Sequence, residues 1–116
     1  MNPARPEPGT VLCRLDEIAD PGAKTLYFQE WPAMFLGFVV RKEGAVHGYN
    51  DSCPHAGRQL APIEDRYLTG QKDFILCSAH GAFFRIEDGF CVSGPCAGDR
   101  LIPWPVVVDG DVVRAG

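Results

Sequence analysis

Two Cys–His pairs constrain this chain more than any other feature. They are Cys53-Pro54-His55 and Cys77-Ser78-Ala79-His80, with 21 residues between His55 and Cys77. Each pair opens a Gly/Pro-rich loop that follows a strand-like run. If two such loops lie side by side at one end of a sheet, two thiolates and two imidazoles converge on one point. Thiolate and imidazole together are donors for zinc and for iron–sulfur centres. Cys13, Cys91 and Cys96 bring the cysteines to five. The odd number argues against a disulfide framework, as does the Pro-rich Met1–Thr10 stretch, which does not read as an export signal. In a reducing compartment such cysteines read first as metal ligands. The expectation is therefore a cytoplasmic metal-binding protein.

The rest of the chain reads as short strands divided by turns. Val11–Leu15 alternates apolar and polar residues. Thr25–Gln29 and Met34–Arg41 are strands, the second a nearly continuous apolar run suited to burial on both faces. Lys42-Glu43-Gly44 turns the chain into a strand at Ala45–Asn50. Ala82–Ile86, a turn at Glu87-Asp88-Gly89, and Phe90–Val92 form a hairpin. The Val-rich arms around Asp109-Gly110 form another, with a two-residue turn of the favoured type. A short helical turn is expected near Pro62–Tyr67. No 12-residue stretch keeps a helical period, so the class is all-β. Residues 1–9 read as a flexible lead-in, and 10–116 as a single domain.

Charge and hydropathy narrow the function. The net charge of −4 is the wrong sign for a nucleic-acid binder. Neither long apolar run, Met34–Val40 or Pro103–Val108, approaches the roughly 20 residues of a membrane helix. No glycine fingerprint for a dinucleotide is present, so the chain does not draw electrons from a nicotinamide by itself.

The paired motifs Cys53-Pro54-His55-Ala56-Gly57-Arg58-Gln59-Leu60 and Cys77-Ser78-Ala79-His80-Gly81-Ala82-Phe83-Phe84 resemble those of Rieske iron–sulfur proteins. The likeness continues through Asp88-Gly89 and Gly94-Pro95 to the terminal hairpin, over about residues 10–114, and is strongest to the small soluble Rieske ferredoxins. It implies a Rieske fold, an antiparallel β-sandwich base with a smaller cluster-binding subdomain at about 50–98. It implies one [2Fe–2S] cluster per chain, held by Cys53 and Cys77 on the inner iron and by His55 and His80 on the outer iron. Gly57 and Gly81 then shape the loops, while Leu60 and Pro95 shield the cluster.

Charge arithmetic follows from that ligand set. Two ferric ions and two sulfides sum to +2. Two thiolates and two neutral imidazoles bring the site to 0, whereas four thiolates bring it to −2. Adding an electron to the neutral centre costs less, so the potential lies above the roughly −400 mV of plant-type clusters. Family members of high potential carry a disulfide between the loops, together with Ser and Tyr hydroxyls directed at the cluster sulfurs. Here the matching positions are Arg58 and Ala79, and Ala82 and Phe84. The expected potential is accordingly low for the family, on the order of −150 mV.

The resemblance implies an electron-transfer protein rather than an enzyme, carrying electrons from a flavin reductase to an oxygenase. A Rieske-like small subunit of a larger reductase, such as nitrite reductase, is the alternative. A structural zinc site is another, although the order Cys-His-Cys-His departs from the usual zinc-finger order. His47 and Cys13 read as packing residues. Cys91 and Cys96 read as two thiols, with a bridge between them as the rival. Asp51, Glu64, Asp65, Asp73, Glu87 and Asp88 read as an acidic surface able to steer a basic reductase. The 21-residue spacer is long for these ferredoxins, which places an insertion near Ile63–Asp73.

Overall fold

The computed structural model describes residues 2–54, 59–61, 63–78 and 81–116. Among these residues nine strands follow in chain order: β1 (Val11–Arg14), β2 (Gly22–Glu30), β3 (Ala33–Lys42), β4 (Ala45–Asn50), β5 (Phe74–Cys77), β6 (Ala82–Arg85), β7 (Cys91–Ser93), β8 (Val106–Asp109) and β9 (Val112–Ala115). They form three antiparallel sheets of three strands, ordered β1-β9-β8, β2-β3-β4 and β5-β6-β7. The all-β expectation holds. The one helical element among the described residues is a 3-10 turn at Leu15–Glu17.

β3 organises the interior. Its side chains alternate between two cores, as strand geometry requires. Phe35 and Val39 enter one core with Cys13, Ile18, Leu26, Trp104 and Val113. Phe38 and Val40 enter the other with Tyr49, Cys53, Leu60, Tyr67, Ile75, Cys77, Phe84 and Cys96. An apolar run buried on both faces is thus what this position demands. Trp104 seals the first core, with its indole edge-on to Phe35 at 4.9 Å between ring centroids. The second core lies under the loops that carry the Cys–His motifs.

Local corrections to the sequence reading have local causes. β1 ends at Arg14 rather than Leu15, because the Glu17 carboxylate takes the Arg14 N–H at 2.7 Å and starts the 3-10 turn. β2 is longer than Thr25–Gln29. Every residue from Gly22 to Glu30 is paired with β3, so the partner sets its length more than its own propensities do. In place of the helical turn expected at 62–67, a simple turn is closed by Arg66 N–H donating to Ile63 O at 3.1 Å, and Pro62 lies outside the described residues. The long spacer then runs back along β5. Leu76 N–H donates to Tyr67 O at 2.8 Å, and Thr69 N–H to Phe74 O at 2.9 Å. Among the described residues of the lead-in, Ala4 is buried and Asn2 Nδ2 donates to Met34 O at 2.7 Å.

Candidate functional site

Three loops meet at the end of the β5-β6-β7 sheet. The first leaves β4, where Asp51 N–H donates to Leu36 O at 3.0 Å and fixes the exit direction. Cys53 follows, only 1% exposed. The second loop leaves β5 at Cys77, also 1% exposed, and returns at Gly81, whose N–H donates to Cys77 O at 3.0 Å. Gly81 has φ +71° with open space where a side chain would stand. Its glycine is thus required by the left-handed turn and not by crowding. The third loop follows β7. Gly94 packs directly on Ala82, leaving no room for a side chain, and Cys96 turns inward to 1% exposure.

The first two loops are joined through the backbone of one residue, Leu60. Leu60 N–H donates to Asp51 Oδ1 at 2.8 Å. Leu60 O accepts from Ser78 N at 3.0 Å and from Ser78 Oγ at 3.1 Å. The second Asp51 oxygen accepts from the Tyr67 hydroxyl at 2.7 Å, and that hydroxyl lies 3.0 Å from Thr25 Oγ1 on β2. Tyr67 stacks on Phe38 with ring centroids 4.1 Å apart and planes 6° apart. Burial pushes the Tyr67 phenol pKa well above its ordinary value, and the neighbouring Asp51 carboxylate acts in the same direction. The hydroxyl therefore keeps its proton and remains a donor.

The structure brings Cys53, Cys77 and Leu60 into one buried cluster. Gly81 stands at the return of the second loop and is exposed, as is Pro95. His55, Gly57 and His80 lie outside the described residues, together with Arg58 and Ala79. The third loop turns Cys96 toward the site, with Cys96 Sγ 3.6 Å from Cys53 Sγ. Cys91 lies in the same buried core, its thiol donating to Ser93 O at 3.3 Å. Cys13 packs in the other core, where burial pushes its thiol pKa up.

Asp51 corrects the sequence reading. It is 6% exposed and not part of an acidic surface. A carboxylate at the end of a strand and next to a loop is well placed to accept a backbone N–H, and this was the available signal. Tyr67 and Ser78 were also missed, the first as an aromatic in a polar stretch and the second as an ordinary loop hydroxyl.

The donor set fits an iron–sulfur cluster. Two buried thiols share an apolar core with Leu60, Ile75 and Phe84. Such surroundings shelter iron–sulfur bonds from water, and thiolates are the ligands iron–sulfur clusters take.

The fold is shared with solved proteins. A ferredoxin of carbazole 1,9a-dioxygenase from Nocardioides aromaticivorans IC177 superposes with a TM-score of 0.73 at 20% identity, covering 95% of this chain and 98% of that one. A ferredoxin of Sphingomonas yanoikuyae B1 gives 0.67 at 21% identity, over 92% and 96%. A chain from a complex of reduced oxygenase and oxidised ferredoxin in carbazole 1,9a-dioxygenase gives 0.70 at 21%, over 91% and 99%. No curated protein matches the sequence. The family model for the Rieske [2Fe–2S] domain matches residues 10–107, which include both Cys–His motifs, the spacer and the third loop. With most of its length inside that match and the sheets arranged as in solved Rieske ferredoxins, the chain belongs to the Rieske [2Fe–2S] family.

Proposed function

We propose that this protein is a one-electron carrier that receives electrons from a flavin reductase and delivers them to an oxygenase, in the cytoplasm. The observation that carries the reading is the joint burial of Cys53 and Cys77, one at each motif loop, in a single core under the loop end. Similarity to whole ferredoxin chains supports the carrier role: the match runs the length of both partners. A solved complex of such a ferredoxin with its oxygenase supports the choice of acceptor. No helix among the described residues is long and apolar enough to cross a membrane.

In this reading Cys53 and Cys77 hold the inner iron, and His55 and His80 hold the outer iron. When bound, the cluster supplies one site that takes up and releases a single electron. The chain's own residues set the conditions. Two thiolates and two neutral imidazoles keep the oxidised site uncharged. Leu60 and Cys96, each 1% exposed, keep water from the inner side, while Pro95 stays exposed on the third loop. Gly81, with φ +71°, gives the second loop its tight return. Residues of about 50–98 act as the cluster-binding part, on a base formed by the rest of residues 10–116.

The test is direct. Anaerobically purified protein should contain two irons and two acid-labile sulfides per chain. After dithionite reduction, its EPR average g value should fall below that of four-thiolate clusters. Voltammetry should give a potential on the order of −150 mV. Replacing Cys53 or His80 by Ala should abolish the signal. Stoichiometric zinc and no visible absorption would overturn the reading. A clearly positive potential near neutral pH would contradict the expectation drawn from Ala82 and Phe84.

A further inference from the structure

We propose that Asp51, Leu60 and Ser78 form a hydrogen-bonded brace that locks the two motif loops together, and that Tyr67 anchors this brace to the base. The inference rests on the reading that these loops hold the cluster. Cys53 and Cys77 come from separate loops and must be held in register to share one iron. The Leu60 backbone supplies that constraint on both sides. Its N–H is taken by Asp51 at 2.8 Å, within the buried part of the first loop. Its carbonyl takes both the backbone N–H and the hydroxyl of Ser78, the residue that follows Cys77. Cys53 and Cys77 are therefore each within two residues of a bond to the backbone of this one residue.

Anchorage comes from the spacer. Tyr67 donates to the second oxygen of Asp51, contacts Thr25 of β2 and stacks on Phe38 of β3. Its carbonyl accepts from Leu76, next to Cys77. The long spacer thus ties the carboxylate side of the brace to β2 and β3, and the thiol side to β5. Both Asp51 oxygens are used, so removal of the carboxylate leaves two donors without their acceptor. Loss of a bond to a charged acceptor weighs more than loss of a neutral one.

The experiment compares wild type with S78A, S78T and D51A. The readouts are the release of iron from the oxidised holoprotein to a chelator, the EPR line shape of the reduced form, and amide exchange at Leu60. S78A should release iron about fivefold faster, as expected for one neutral hydrogen bond. S78T should restore the wild-type rate. D51A should release iron at least tenfold faster, with a broadened EPR signal and rapid exchange at Leu60. A merely structural effect on the base would lower global stability without broadening the signal, and S78T would not rescue it. If D51A does not fold, the S78A and S78T pair decides. Wild-type release rates in S78A, with the Rieske signal intact, overturn the hydroxyl's part in the brace; a Leu60 amide exchanging at free-loop rates in the wild-type holoprotein overturns the brace itself, and both leave the cluster reading standing. Failure of the wild type to hold a cluster overturns the cluster reading. In that case a Leu60 amide exchanging at free-loop rates in the wild type overturns the brace as well.

Discussion

Cys96 shows how one side chain can adjust a redox centre from outside its ligand set. Its sulfur lies 3.6 Å from that of Cys53, and both are 1% exposed. In the reading given above Cys53 loses its proton to iron, so across this contact only Cys96 retains one to donate. A donor to a ligand sulfur stabilises the reduced, more negative cluster. Replacing Cys96 by Ala should lower the potential by about 20–60 mV, the equivalent of one weak hydrogen bond at one electron. Cys96→Ser should keep it near the wild-type value. Voltammetry of the three proteins checks this, and an unchanged potential in C96A would leave the contact without electronic effect. The resemblance implied that this loop lies over the cluster. It did not show that the inward residue is Cys96 and not Pro95, because side-chain direction in an irregular loop has no period to read.

At the scale of elements, β3 joins the base to the site. Phe38 is fully buried, stacks on Tyr67 and packs beside Tyr49. Truncation to Ala should cost about 3–5 kcal/mol, measured as a lower urea midpoint, and should speed iron release by loosening Tyr67. A stability loss below 1 kcal/mol would contradict the packing described. Much of this level was legible beforehand. The continuous apolar run of β3 announced a strand with two buried faces, and the Val-rich arms around Asp109-Gly110 announced the β8–β9 hairpin, although Asp109 pairs with Val112, so the two-residue turn is Gly110-Asp111, one residue later than read. The two Cys–His motifs pointed to the loop end where Cys53 and Cys77 are buried together. The course of the spacer was not legible. Tyr67 is held by Phe38, Thr25 and Asp51, all distant in sequence, and no local pattern encodes such contacts. Ser78 and Asp51 are hidden for the same reason: their roles depend on the backbone N–H and C=O of Leu60, which every residue type but proline would supply.

The molecule as a whole has a radius of gyration of 13.4 Å, the value expected for one folded body of this length. Its two cores meet at β3, so damage to either should reach the site. Its pH response should be alkaline. Burial raises the pKa of both Tyr49 and Tyr67, whose hydroxyls donate to Ile86 O and to Asp51. The unfolded chain gives up these protons near pH 10, while the folded chain retains them. Stability from this source is therefore complete below about pH 10 and declines as pH rises further. Urea midpoints at pH 8, 10 and 11 should be level between the first two and fall at the third. A level midpoint throughout would mean that these phenols ionise without cost. The ligand set itself is read from the iron. Mössbauer spectroscopy of the oxidised, iron-57-enriched protein should give two quadrupole doublets of equal area, one from iron bound to cysteine and the other from iron bound to histidine. A single doublet from identical all-sulfur sites, or no bound iron, would contradict that ligand set.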